Sequence, residues 1–402
     1  MRKGLIFVSS IVIMIPFLTA CWNQKELTDL AFVMAMGVDK GKEKKFEVSF
    51  QIVNPGNVAP GQIGGGQGLP IAVYKSTGDT LTEAARAATK KVSRRLYYAH
   101  TNLVIISDDV AKKDLLLLLD AMDRDPEFRT TTELIIAKGK TRAEDLVSAL
   151  TILDKLPVNK ITKEIQSTEK MLGENMSINI DDFITNLISK GREPILNGYK
   201  VVGKIDKVNQ AVNLKKTTTD AYLAADGLAV FKDGKLRGWI NNNNARGVLW
   251  ILNKVEGTGI NLTWKDMKNA ISIALIRSKT KVSAQFKGGK PMINVKIENE
   301  GWVSEVNTAI DLTNPKEIEK IESILMEETK KQILTSVKKA QKLKVDIFGF
   351  GEKIHLENPK RWKMLQKNWD EEFSKLQVNV EVESYIRREG IRTKPFWSEF
   401  SK

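Results

Sequence analysis

Glycines one residue apart, with a lysine and a histidine close behind, are residue types that hold phosphate groups. The stretch "DIFGFGEKIH", residues 346–355, supplies them as Gly349, Gly351, Lys353 and His355. A dinucleotide fingerprint would need G-x-G-x-x-G between a strand and a helix, where backbone N–H groups and a helix N-terminus meet a pyrophosphate. Here position 354 is Ile, and the preceding element reads as a long helix. The spacing therefore predicts a sharp turn leaving that helix. "AKGKT", 137–141, does join a strand to a helix. A Walker loop would need another glycine five residues before Gly139, and Leu134 stands there, so Lys140 has no phosphate cradle.

Other chemistry is equally thin. His100 and His355 are the only histidines, and no His-x-x-x-His or adjacent Glu-His pair is present to hold zinc. No G-x-S-x-G elbow is present for a serine hydrolase. The adjacent carboxylates Asp108-Asp109 and Asp181-Asp182 read as helix starts. Trp362 and Trp369 lie seven apart, the spacing of one helical face, and read as core. The expectation is a protein without catalytic, metal or cofactor-binding residues, and not an enzyme.

One residue does carry chemistry. Cys21 is the single cysteine of the 402 residues, and it ends "LTAC" after a basic start (Arg2, Lys3) and an apolar run from Leu5 to Phe17. That is the layout of an export signal with Cys in place of the usual cleavage-site residues, a lipobox. The run is short for a span of ~20 apolar residues. Cleavage before Cys21 would put diacylglycerol on its sulfur and lower the formal charge from +14 to +12. Two or more acyl chains give stable attachment where one does not. The mature chain would then sit on the outer face of a membrane, without disulfides, and nucleic acid drops out as a partner. Its basic surface would face anionic headgroups, an acidic neighbour or solvent.

The elements that follow alternate strand and helix. "LAFVMAMGVD" reads as a buried strand, and "KFEVSFQIV" as a half-exposed partner with Val48, Phe50 and Ile52 inward. "PGNVAPGQIGGGQGLP", 55–70, has six Gly and three Pro and cannot pack, so it is a loop. Thr80 and Glu83 form a capping box opening a helix to about Leu96, and Thr141 and Glu144 form another. Asp233-Gly234 closes a hairpin in "GLAVFKDGKLRGWI", and "VSAQFKGGKPMINVKIE" is a second hairpin. Asn314 and Pro315 open the longest helix, with Ile318, Ile321, Leu325, Ile333, Val337 and Ala340 on one face. "VNVEVESYI" is a last strand. The fold class expected is α+β, with two to three mixed domains, the last placing the long helix on an antiparallel sheet. The divisions are 1–20 signal peptide, 21–190 α/β domain, 191–275 β-rich domain and 276–402 α+β domain.

Several strings, in order along the mature chain, carry a resemblance: "CWNQKEL" from Cys21, "RRLYYAH" from Arg94, "LDAMDRDPEFR" from Leu119, "GLAVFKDGKLRGWI" from Gly227, "RGVLWILNK" from Arg246, "DIFGFGEKIH", "NPKRW" from Asn358, "NWDEEF" from Asn368 and "YIRREG" from Tyr385. The chain resembles the Ger(x)C family of spore germination lipoproteins, the C subunits of nutrient germinant receptors in endospore-forming bacteria. The resemblance implies a non-enzymatic subunit, lipid-anchored through Cys21 on the outer face of the spore inner membrane. Its partners would be two integral-membrane subunits, A and B, in a complex that answers amino acids or sugars. Two other classes stay open beside it. A lipid-anchored solute-binding protein needs a cleft between two similar lobes, and an exported enzyme needs a catalytic constellation.

Overall fold

The computed structural model describes residues 26–58, 68–387 and 395. Cys21 and its signal, residues 59–67 of the Gly-rich stretch and the end of "YIRREG" lie outside the described residues.

A large mixed sheet takes up the first part of the chain. Its strands are β1 (Leu30–Lys40), β2 (Phe46–Val53), β3 (Ile71–Gly78), β4 (Arg95–Tyr97), β5 (Leu103–Ser107), β6 (Glu133–Ala137), β7 (Ile195–Gly203), β8 (Ala221–Lys232) and β9 (Lys235–Ile240). They lie in the order β3-β2-β1-β5-β6-β7-β8-β9, with β4 beside β1. The middle strands β1, β5, β6 and β7 run parallel, and the outer ones antiparallel. Parallel strands need crossover helices and so end up covered on both faces. That is why "LVIIS" and "ELIIA" are buried at every position. Helices Leu81–Ala88, Leu115–Asp123 and Ile180–Ile188 cover one face with Ala84, Leu118, Met122 and Phe183. Helices Ala143–Ser148 and Pro157–Met171 cover the other with Leu146, Val147, Ile161 and Ile165.

Three local expectations change. The second strand is not half-exposed: Ser49 and Gln51 are fully buried, because helix Ala143–Ser148 lies over them and Gln51 Nε2 donates to the Val147 carbonyl at 2.5 Å. The helix opened by Thr80 ends at Ala88 instead of Leu96, since residues 95–97 pair with β1 as β4. Its cap is as expected, with Thr80 Oγ1 accepting from Glu83 N–H at 3.1 Å. The second capping box is displaced by one residue. Thr141 Oγ1 accepts from Val201 N–H, Asp145 accepts from Arg142 N–H, and the helix N-terminus is held by Asp39 of β1, which accepts from Ala143 and Glu144 at 2.9 Å each. A carboxylate at that end meets the unpaired donors and the positive pole of the helix.

The second sheet has β10 (Thr258–Trp264), β11 (Met267–Lys287), β12 (Lys290–Val306) and β13 (Gln377–Ile386) in that order. The hairpins β8–β9 and β11–β12 turn on Asp233-Gly234 and Gly288-Gly289, all four with positive φ, as the primed turns require. Helix Pro315–Leu343 opens as expected, with Asn314 accepting from Lys316 N–H, and buries the whole expected apolar stripe against β13 and helix Asn242–Ile251. The sheet is antiparallel through β12 but ends in a parallel strand, because β13 returns after a helical crossover. Strands 195–240 complete the first sheet, and β11 runs unbroken across position 275. We therefore place the division between the two sheets in the segment 241–257. Among the described residues no helix is long and apolar enough to cross a membrane.

Candidate functional site

Several of the strings singled out in the sequence gather in two places. The first is the seam between the sheets. Helix Pro315–Leu343 ends on Lys344 in the left-handed conformation, and the chain turns into Asp346. Asp346 Oδ1 accepts the N–H groups of Phe348, Gly349 and Phe350 at 3.0–3.2 Å, and Oδ2 accepts Gly351 N–H at 2.8 Å and Trp369 Nε1–H at 3.0 Å. The glycine loop does cradle an anion, and the anion is its own aspartate. Gly349 has φ of +75°, which it can adopt without a Cβ penalty, and it opens helix Phe350–Glu357. Gly351 packs on Gly191 between Trp362 and Trp369, whose rings stand edge to face at 5.2 Å. Those tryptophans are core as expected, though a turn at 366–368 puts them on separate helices, Pro359–Leu365 and Trp369–Ser374. Burial pushes the Asp346 carboxyl up, to about 6, against the pull of the Gly351, Phe350, Trp369 and Phe348 donors.

The seam is also tied across the sheets. Glu193 N–H donates to the Asp346 carbonyl at 2.8 Å, and Glu352 N–H to the Gly191 carbonyl at 3.1 Å. Lys232, at the end of β8, bridges Glu193 and Asp370 at 2.8 Å each. Burial works against the Lys232 ammonium, but these two carboxylates hold it above the ordinary lysine range. A cleft of about 460 Å³ opens here between Lys190, Arg192, Lys367 and Asp370.

The second place joins "RRLYYAH" to "LDAMDRDPEFR". Arg95 pairs with Glu127 at 2.7 Å, and the Tyr98 ring lies 6.5 Å from Phe128 and 6.2 Å from Phe50. Together they wall a cleft of about 450 Å³ with an apolar floor of Met36, Leu81, Leu96 and Met122. Burial pushes the Tyr98 phenol up, so it stays a neutral hydroxyl. An apolar floor with a guanidinium–carboxylate rim can take an apolar side chain or a small amphiphile.

The remaining candidates are structural. His100 packs edge-on to Phe32 and Tyr97, and His355 lies against Trp362. Asp182 and Asn179 cap helix Ile180–Ile188, and Asp108 opens helix Asp108–Ala111 and pairs with Lys112. Lys140 is exposed on a turn. Among the described residues no three His, Cys, Asp or Glu stand together as metal ligands.

Glu133 escaped the sequence reading. It begins β6, is buried, and accepts from Ser177 Oγ at 3.1 Å. Burial pushes its carboxyl up to about 7 against that one hydroxyl. A carboxylate on the edge of the apolar run "ELIIA" was the available signal. Since its folded pKa lies above the unfolded value, the folded state holds the proton more tightly. Its stabilising contribution is complete below about pH 4.5 and is lost as pH rises to 7, about 3 kcal/mol over the window. Asp346 adds a slope of the same sign up to about pH 6. Glu133→Gln should flatten the stability curve between about pH 4.5 and 7 and be more stable than wild type at pH 8, as read by urea denaturation. An unchanged slope would contradict this.

Comparison with known proteins now adds relationship to geometry. Residues 23–201 match the model for the spore germination protein N-terminal domain, and residues 226–390 the model described as spore germination B3/GerAC like, C-terminal. The chain is similar to spore germination protein KC of Bacillus subtilis, 41% identical over 404 residues and 99% of each chain. It is also similar to spore germination protein GerQC of Bacillus cereus, 22% identical over 97% of this chain and 99% of that one. Among solved structures the GerBC protein aligns over 90% of this chain and 99% of its own, with a TM-score of 0.52 and 16% identity, a likeness of fold.

Proposed function

This chain belongs to the GerAC-like family of spore germination proteins, and from that premise we propose that it is the lipid-anchored C-type subunit of a nutrient germinant receptor. The observation that carries the reading is the 41% identity to a spore germination protein along the full length of both chains. In this reading the chain sits on the outer face of the spore inner membrane and assembles with two integral-membrane subunits. It does no chemistry of its own. The folded body would be a rigid platform: two sheets locked at the Asp346 seam, with the apolar cleft beside Tyr98 open to a partner side chain.

Attachment in this reading falls to Cys21, five residues before the first described residue. Cys21→Ala is expected to leave the signal uncleaved and the N-terminal peptide without acyl mass, where the wild-type N-terminal peptide begins at an acylated Cys21. A wild-type N-terminal peptide without acyl mass on Cys21 would overturn the lipid anchor.

A further inference from the structure

The tether proposed above is short, and this limits which face can meet the membrane. Four residues lie between Cys21 and Glu26, so the Cα of an acylated Cys21 lies within about 18 Å of Glu26 even in extended chain. Glu26 leads straight into a turn at Leu27–Asp29 and then β1. Beside that entry lies a basic loop. Leu30 and Arg95 are register partners of β1 and β4, and the residues before Arg95 read Lys90, Lys91, Val92, Ser93, Arg94. Both lysines and both arginines are exposed. Lys91 Nζ donates to the Lys75 carbonyl at 2.6 Å, and Arg95 is paired with Glu127. Among the described residues neither Lys90 nor Arg94 has an ion-pair partner. The acids nearby are Glu26 and Asp29 on the entry and Asp125 and Glu127 beside Arg95, so the basic character rests on Lys90, Lys91 and Arg94, which the ion pair of Arg95 with Glu127 leaves out.

Next to this loop is a cleft of about 530 Å³ walled mainly by apolar groups. Arg94 stands at its rim, with Thr28, Phe32, Ile52, Pro55 and Tyr74 around it. Leu69, well exposed, sits at the same end, where Asn57 Nδ2 donates to its carbonyl. Trp22 follows Cys21, an aromatic of the kind enriched at membrane–water interfaces. Cations with a neighbouring apolar cleft, all within reach of an acyl anchor, match the chemistry of a bilayer with anionic headgroups.

We propose that the loop 89–95 and the cleft beside it form the membrane-facing surface of this protein and bind anionic lipid headgroups. The proposal takes its geometry from the anchored reading but is tested without the anchor. The mature polypeptide, residues 21–402 without acyl groups, is sedimented with phosphatidylcholine vesicles with or without 30 mol% phosphatidylglycerol. Binding is expected only with phosphatidylglycerol and should weaken as salt rises. A basic group well placed at such a surface is worth about fivefold in binding, so Lys90→Glu/Arg94→Glu should lose about thirtyfold or more. The control is Lys338→Glu/Lys342→Glu, which reverses two exposed lysines on the long helix and should lose far less. Equal losses from the two pairs would mean diffuse attraction by net charge and would overturn the proposal. So would unaltered vesicle binding by Lys90→Glu/Arg94→Glu in a protein whose spores fail to germinate, which would assign the loop to a protein partner. Acylation of Cys21 is read separately by mass, so a failure of the anchor and a failure of this surface give different results.

Discussion

Asp346→Ala is expected to cost about 3–5 kcal/mol of stability, the range for removing one side of a buried charged network. Four backbone N–H groups and Trp369 Nε1–H lose the acceptor they share, in a buried site. The loop they belong to also carries the hydrogen bond from Glu193 N–H that ties the two sheets. Asp346→Asn should recover only part of the loss. Its oxygen can still serve Phe348, Gly349 and Phe350, but its amide then meets Gly351 N–H and Trp369 Nε1–H, donor against donor. Urea denaturation at pH 7.5 reads both variants, and a loss below about 1 kcal/mol for Asp346→Ala would remove the seam from the account.

Gly351→Ala and Gly191→Ala come next in size, from close packing rather than charge. A Cβ on Gly351 would stand 2.7 Å from Trp362 and 2.8 Å from both Gly191 Cα and Trp369. One on Gly191 would stand 2.6 Å from the Gly351 backbone and from Trp362, at a φ of +82°. Overpacking of this kind costs about 1–3 kcal/mol, and the left-handed backbone adds about 1 kcal/mol at Gly191. Gly191→Ala should therefore be the worse of the two. Because the two glycines touch, the double variant should cost less than the sum, since the first Cβ has already forced the backbones apart. Thermal unfolding of the three variants measures this; strict additivity would mean the two backbones do not share one contact.

What the sequence made legible was local. The long helix shows its apolar stripe, its Asn314-Pro315 start and its lysine-rich end within one stretch, and all of these hold in the fold. The Asp233-Gly234 turn is as visible, because two positive φ angles demand such residues. The expectations that changed depend on residues far along the chain. Nothing around Ser49 and Gln51 tells of the helix some 95 residues later that buries them. Asp39 looks like a strand-end carboxylate until the fold brings it under the N-terminus of helix Ala143–Ser148. "DIFGFGEKIH" could be denied a phosphate from its missing third glycine, but its true anion needed Trp369, 23 residues on, to be recognised. The two strings that form the apolar cleft were each visible, and their meeting was not, since only the β1–β4 pairing brings Arg95 opposite Glu127.

The central claim is that this chain is a working subunit of a receptor for germinants, and spores of the native host test it most directly. Germination would be followed for wild type, the gene deletion and the deletion complemented in trans, across a panel of amino acids and sugars. Deletion is expected to abolish the response to one set of nutrients and leave other sets unchanged, with full restoration by complementation. Unimpaired germination on every nutrient, persisting when related receptor genes are deleted as well, would contradict it.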